Sequence, residues 1–351
     1  MRVLIVKTSA LGDIIHALPV LDYLHQASPG IVIDWIVEEG FKDVLEGNPL
    51  LHTVLLLGSR RWRKSPGTPQ TRSQVAALWR EVRRNRYDIV FDIQGNLKSA
   101  LIDLASGAQQ RIGFPRELLQ ERINAYFTTH KALFSVNNNH ATLRCLSVAG
   151  APFSLPYHQA EFRTDIAFSE GDAAEAAGIT SGLGPGPRIL FHCGTTWQTK
   201  FWSPERWSEL GSRICSHFPG SVILFTWGNE AEQTAATEIA ARITGRTELV
   251  KRLPLKGLAA LFTQVALVVG GDTGPVHLAA AVGTPTVSLY RSSDGSESGP
   301  RGERHSIVQS PLPCTRCFKT SCPRDEECRA SITVDAMFAA VSRQLAPKDR
   351  P

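Results

Sequence analysis

Short apolar runs separated by helix-length amphipathic stretches set the rhythm of this chain. Val3, Leu4, Ile5 and Val6 form a continuous apolar run, the pattern of a parallel strand covered by helices on both faces, and polar residues begin directly after it. Comparable runs predict strands over residues 2–7, 31–37, 53–57 and 87–93, alternating with helices over 18–28 and 73–86. The second half repeats the pattern, with strands over 188–193, 221–227, 267–270 and 286–290 and helices over 205–218, 230–243 and 276–282. Successive βα units build parallel sheets, so the chain reads as one α/β architecture used twice. Residues 181–187, Ser-Gly-Leu-Gly-Pro-Gly-Pro, combine flexible glycines with helix-breaking prolines, and the domain boundary is expected between residues 154 and 187. A last helix near 334–345 fits either domain.

Length agrees with two domains, since 351 residues exceed the ~150 of a typical one. Hydrophobic residues at 42% and charged residues at 20% exclude the disordered and membrane-spanning classes. No apolar run reaches the ~18–20 residues of a membrane span, and the N-terminal strand is too short for a signal-peptide core, so the expected location is the cytoplasm. The net charge of +5 is mild but uneven. Between residues 58 and 87, Arg60, Arg61, Arg63, Lys64, Arg72, Arg80, Arg83, Arg84 and Arg86 face a single acid, Glu81. Arg80 to Arg86 read as the solvated face of a helix. The sequence R-R-W-R-K at residues 60–64 reads as a loop with an aromatic among cations, suited to a phosphate or an anionic lipid headgroup. No nucleic-acid-binding motif accompanies it, and nucleic acid is not an expected partner.

Open α/β sheets place their chemistry in the loops beyond the carboxyl ends of the strands. The first such loop carries Gly12, which allows close backbone approach, and Asp13, which can cap the following helix or act as a general base. It lacks the G-x-G-x-x-G fingerprint of a nicotinamide enzyme. In the second half, Gly194, Thr195 and Thr196 offer backbone N–H groups and hydroxyls to phosphate oxygens, with Lys200 to neutralise charge; the threonines alternatively cap the helix entered at Pro204. Gly270, Gly271 and Gly274 allow a tight turn into a helix whose positive end can hold a phosphate, and His277 one turn in either reaches that ligand or is structural. Glu230 follows Trp-Gly-Asn at a further strand end, where it can accept sugar hydroxyls or simply favour the helix dipole. Cys314, Cys317, Cys322 and Cys328 give C-x2-C-x4-C-x5-C, a candidate zinc or iron–sulfur clip or a set of free thiols, while Cys145, Cys193 and Cys215 are scattered.

Five motifs taken in order carry a family resemblance. They are K-T-S-A-L-G-D (7–13), R-R-W-R-K (60–64), D-I-Q-G-N-L-K-S-A (92–100), G-T-T-W-Q-T-K (194–200) and D-T-G-P-V-H (272–277). Together they resemble the lipopolysaccharide heptosyltransferases, the ADP-heptose enzymes of glycosyltransferase family 9, and the first and second are most similar to the branch making the first heptose transfer. The resemblance implies a GT-B fold, two Rossmann-like domains with parallel sheets facing a central cleft. It assigns residues 1–165 to the acceptor and 186–333 to the donor, with 334–351 a C-terminal helix able to pack back on the N-terminal domain. It implies an inverting transfer of L-glycero-D-manno-heptose from ADP-heptose to the Kdo of Kdo-lipid A, without cofactor or metal, at the cytoplasmic face of the inner membrane and its anionic leaflet. No D-x-D metal triplet occurs in the chain.

The same resemblance makes Asp13 the general base. It puts Thr195, Thr196 and Lys200 on the donor diphosphate, Glu230 on the nucleoside or sugar, and Asp272, Thr273, Gly274 and His277 around the phosphates and sugar. Arg60, Arg61 and Lys64 would hold the acceptor's carboxylates and phosphates. After Tyr290 the family often reads G-P-T-D-P where this chain has R-S-S-D-G, and the cysteine segment is similar to that of other family members, including the branch making the second transfer. The alternatives are a later-acting heptosyltransferase adding heptose to heptose, a nucleotide-sugar epimerase of the same architecture, and a non-catalytic module for anionic lipid.

Overall fold

Burial of the predicted apolar runs organises two separate sheets. The computed structural model describes residues 1–134, 139–157 and 162–346, so residues 158–161 of the expected boundary region and 347–351 of the C-terminal segment lie outside the described residues. The chain divides into one unit spanning Met1–Ala167 and a second spanning Phe168–Pro351.

The first unit runs β1 (Arg2–Val6), α1 (Leu11–Ala17), α2 (Pro19–Ala27), β2 (Val32–Glu38), β3 (Thr53–Leu57), α3 (Ser59–Lys64), α4 (Pro69–Arg84), β4 (Ile89–Asp92), α5 (Leu97–Ser106), β5 (Gln110–Gly113), β6 (His130–Lys131) and α6 (Ala141–Gly150). All strand pairs are parallel, in the order β3-β2-β1-β4-β5-β6. Val3, Leu4, Ile5 and Val6 are fully buried, as a central strand flanked by helices requires. One face carries a core of Leu4, Val6, Leu78, Val82, Val90 and Ile102, with side chains contributed by α4 and α5.

The second unit runs α7 (Glu170–Thr180), β7 (Arg188–His192), α8 (Pro204–His217), β8 (Val222–Phe225), α9 (Glu230–Ala241), β9 (Arg246–Leu249), α10 (Leu255–Phe262), β10 (Leu267–Gly271), α11 (Gly274–Ala281), β11 (Thr286–Tyr290), α12 (Gly295–Ser298), β12 (His305–Gln309), α13 (Asp325–Ala330) and α14 (Val334–Leu345). Its order, β12-β11-β10-β7-β8-β9, is the first sheet's order again, counted from β7. Met337, Ala340 and Val341 of α14 join the core of Phe191, Trp207 and Val287, so the terminal helix, expected as able to pack on the first domain, is built into the second unit.

The predicted 18–28 helix is α2, with Pro19 at its first position, and a separate helix, α1, precedes it over Leu11–Ala17. Two local expectations change. R-R-W-R-K is not a loop but the short helix α3, pinned where Trp62 Nε1 donates to Gln74 Oε1 at 3.0 Å. β5, β6, β9 and β12 were not anticipated. They are short or polar strands toward the sheet edges, where one face meets water and no apolar run is needed.

Candidate active site

β1 and β4 lie side by side where the first sheet's strand order reverses, the place where ligands bind in open α/β sheets. Gln94, just past β4, holds the loop that leaves β1. Its Oε1 accepts hydrogen bonds from Thr8 N (2.8 Å), Thr8 Oγ1 (3.2 Å) and Ser9 N (3.1 Å). Gln94 is itself fixed by Asp92, whose Oδ1 accepts from the N–H groups of Gln94 (3.0 Å) and Gly95 (2.9 Å). Asp13 follows on α1 and is exposed. Its Oδ2 accepts the Ala10 N–H at 3.0 Å, a helix-start hydrogen bond, while Oδ1 has no partner among the described residues. One carboxylate thus caps with one oxygen and leaves the other without a hydrogen bond among the described residues. A cavity of about 250 Å³ opens at this point, lined in part by Lys7, Asp13, His16, Gln94, Asn96 and Arg144.

The acid cluster beneath is charged in an unusual way. Asp103 on α5 is fully buried and its carboxyl oxygens have no donor among the described residues. Burial, followed by the facing Asp92 carboxylate, pushes its carboxyl well above the usual range and favours its protonated form. Asp92 receives Ser99 Oγ at 2.8 Å and Asn124 Nδ2 at 2.6 Å.

Arg60, Arg61 and Lys64 lie on α3, beyond the carboxyl end of β3. Arg61 is already engaged, donating to Glu39 Oε1 at 2.5 Å and Gln74 Oε1 at 2.8 Å. Arg60 stands over the Phe41 ring at 5.7 Å, and Lys64 is exposed.

In the second unit β7 and β10 occupy the same reversal point, with His192 paired to Gly270. Asp272, just past β10, gathers three partners: Lys200 Nζ at 2.6 Å, Ser293 Oγ at 2.5 Å and His277 Nε2 at 3.3 Å. Burial works against its charge, but the His277 hydrogen bond and the Lys200 and His277 charges outweigh it and hold the carboxyl well below the usual range. Lys200 also lies over the Trp197 ring at 4.7 Å. Gly270 has to be glycine, since a Cβ there would fall 2.6 Å from Val276 Cγ2. Thr273 caps α11 by position without a side-chain hydrogen bond to the helix, which leaves the Gly274 amide without a side-chain cap, while Pro275 has no N–H and Val276 N donates to Thr273 O at 3.2 Å.

Thr195 and Thr196 lie on the loop after β7, half-buried and exposed respectively. The cap of α8 is Ser203, which accepts from Arg206 N at 3.4 Å, so the threonines do not cap that helix. Glu230 is the exposed first residue of α9, and its carboxylate has no partner among the described residues. The neighbouring carboxylate that reaches the loop is Glu232. It accepts from Gly228 N (2.7 Å) and Asn229 Nδ2 (2.8 Å) and lies so close that a Cβ on Gly194 would meet its Cδ at 2.5 Å. Burial lowers the His192 imidazole beneath the same loop, with the Glu232 charge opposing.

The departing segment R-S-S-D-G is partly structural. Arg291 is fully buried and pairs with Asp325 at 2.6 Å, and Asp294 caps α12 and pairs with Arg316. The four clustered cysteines are free thiols, and among the described residues no group of three or more His, Cys, Asp or Glu is placed to hold a metal ion. No described helix is long and apolar enough to cross a membrane.

Residues 75–327 match the model of glycosyltransferase family 9 (heptosyltransferase). The chain belongs to glycosyltransferase family 9. Lipopolysaccharide heptosyltransferase 1 of Pseudomonas aeruginosa is 34% identical over 93% of this chain and 90% of the relative. The Escherichia coli K12 protein of that name is 31% identical over 89% and 94%. The solved structure of E. coli heptosyltransferase WaaC with ADP superposes at a TM-score of 0.79, with 26% identity, covering 98% of this chain and all of that one. This family 9 chain is therefore a glycosyltransferase, not an epimerase or a non-catalytic module, and its paired parallel sheets are those of the GT-B heptosyltransferases.

Sequence reasoning missed Gln94, Glu232, Ser293 and Trp197 as neighbours of the predicted residues. Gln94 and Trp197 lie inside recognised motifs, and this was the available signal. Glu232 carries none, because helix phase brings it in, and Ser293 lies in the R-S-S-D-G segment noted only as a departure from the family pattern.

Proposed function

We propose that this glycosyltransferase moves heptose from ADP-heptose to the Kdo of Kdo-lipid A, with inversion and without a metal ion. The observation that carries this reading is the 34% identity to a lipopolysaccharide heptosyltransferase 1 over 93% of the chain, joined to the unpartnered Asp13 Oδ1 at the first switch point. Asp13 takes the proton from the attacking Kdo hydroxyl as its oxygen bonds to the anomeric carbon. The anomeric carbon–oxygen bond to ADP breaks on the opposite face, and the leaving diphosphate gains charge. Lys200, Thr195, Thr196 and the N-terminus of α11 with Thr273 and Gly274 receive that charge in place of a divalent ion. Asp272 and His277 fix Lys200, and Glu230 accepts from the nucleoside or sugar. Arg60, Arg61 and Lys64 hold the acceptor's anionic groups. A lipid acceptor places the enzyme at the cytoplasmic face of the inner membrane, on its anionic leaflet.

The test is incubation of the full chain with ADP-heptose and Kdo-lipid A in excess EDTA, following ADP release and acceptor mass. One heptose is added, and Asp13→Asn lowers turnover by about 10²- to 10⁴-fold while keeping its hydrogen bond to Ala10. Loss of activity that magnesium restores would refute the metal-free mechanism. Transfer only to an already heptosylated acceptor would reassign the chain to a later core step.

A further inference from the structure

The surface of α4 and α5 carries chemistry that neither candidate site uses. α5 buries Ser99, Ala100, Ile102, Asp103 and Ser106, and its exposed residues are all leucines: Leu97 (43% exposed), Leu101 (50%) and Leu104 (47%). Their spacing of four and three places them in one stripe about 10 Å long. Scattered exposed leucines are ordinary, but here they make up the whole outward face of a helix. Ile123 and Tyr126, 51% and 72% exposed, belong to the segment packed against α5.

Beside the end of that stripe, α4 and the turn after it form a cavity of about 880 Å³ lined by Arg80, Arg83, Arg84 and Arg86 and by the loop of Ser106 to Gln109. The guanidinium of Arg83 lies 3.4 Å from where a Cβ on Gly107 would stand, which ties the arginine cluster to the end of α5. The only acid lining the cavity is Asp88, and its Oδ2 already accepts the Arg2 N–H at 2.7 Å. None of the four guanidiniums has an ion-pair partner among the described residues. The cavity sits at the amino ends of β4 and β5, the opposite edge of the sheet from Asp13.

We propose that this face, the leucine stripe of α5 with the arginine cluster of α4, docks the protein on an anionic phospholipid bilayer. The inference deepens the membrane placement proposed above. Leucines enter the acyl boundary while the arginines meet lipid phosphates, the division of labour of an interfacial amphipathic surface. Single-stranded nucleic acid fits less well, because the stripe offers leucines where stacking would need aromatic rings. A symmetric second copy fits less well too, since a two-fold contact would bring the unpaired arginine clusters together.

The test is co-sedimentation of the full chain with phosphatidylcholine vesicles with and without phosphatidylglycerol. Binding requires phosphatidylglycerol and fades in 1 M salt, where the Debye length falls to about 3 Å. Each Arg→Gln change at Arg80, Arg83 or Arg84 weakens partitioning about fivefold, and Leu101→Gln with Leu104→Gln weakens it about tenfold or more. Transfer to a water-soluble acceptor is unchanged in these variants, which separates failure here from failure of the proposed reaction. The circular dichroism melt checks that they fold. Absence of vesicle binding, vesicle binding indifferent to these changes, saturable uptake of inorganic phosphate or pyrophosphate that replaces vesicle binding, or a dimer dissolved by Leu101→Gln would each overturn the proposal.

Discussion

Replacing Lys200 by methionine removes the ammonium from Asp272 while keeping most of the side-chain volume. At 2.6 Å and an effective dielectric of about 20, the attraction between the two is about 6 kcal/mol before hydration is considered. Lys200 and Asp272 side chains are only 18% and 10% exposed, so each surrendered several kcal/mol of hydration to reach this arrangement, and the intact pair adds little net stability. The single replacement strands the Asp272 carboxylate with Ser293 and His277 alone. A stranded buried charge costs about 3 kcal/mol. Urea unfolding at pH 7 should show that loss in the transition of the second unit, with a Tm lowered by about 6–12 °C. Adding Asp272→Asn removes the orphaned charge and should return the double variant to within about 1 kcal/mol of the parent. Folding lowers the Asp272 pKa, so its contribution is complete above the unfolded value of about 3.9 and is lost as pH falls toward the folded value. The Lys200→Met deficit therefore shrinks on acidification below about pH 4. A neutral single variant, or a double variant as unstable as the single, would refute this reasoning.

Two other perturbations follow from crowding and burial. Gly194→Ala sets a methyl group 2.5 Å from Glu232 Cδ; the loop or the carboxylate must move, costing about 1–3 kcal/mol in urea unfolding and weakening ADP binding about tenfold by calorimetry, and unaltered stability with unaltered affinity would show that Glu232 yields freely. Asp103 has its pKa raised by folding, so the stability its protonated form provides is complete below about pH 3.9 and is lost as pH rises through the folded value; Asp103→Asn cannot lose it. The unfolding free energy of Asp103→Asn relative to the parent should therefore climb above pH 4, by at most about 1.4 kcal/mol per pH unit, and a difference independent of pH in urea titrations would refute the raised Asp103 pKa.

Much of the architecture was legible because central parallel strands are buried on both faces and need continuous apolar runs. Residues 3–6 and 267–269 announce themselves for that reason. β6, of only two residues, and β9, with the sequence Arg-Thr-Glu-Leu, announce nothing, since at a sheet edge hydrogen bonding alone recruits them. Among the candidate residues, the loops past strand ends pointed to Asp13 and Lys200 directly, while Asp272 and the base role of Asp13 came only with the family resemblance. Glu230 shows the limit. Two acids two positions apart on α9 look alike in sequence, but Asn229 caps the helix on the Glu232 amide and turns the later carboxylate toward Gly194, leaving Glu230 in solvent. The basic segment at residues 60–64 was visible as charge, while its helical form depends on Glu39 and Gln74, which are distant in sequence.

The repeated strand order has a consequence for how the chain is made. Every strand of the first sheet lies within residues 2–131 and every strand of the second within 188–309, so neither sheet waits for sequence belonging to the other. During synthesis at about 5–20 residues per second, the first sheet is complete before β7 has been translated. Inside each unit, however, the first strand made is the central one, and β1 stays uncovered on one side until β4 emerges more than eighty residues later. For those seconds Val3, Leu4, Ile5 and Val6 form an apolar strand with an open edge, the feature that aggregation exploits. The nascent chain, rather than the finished enzyme, is thus where substitutions in this strand should first be felt.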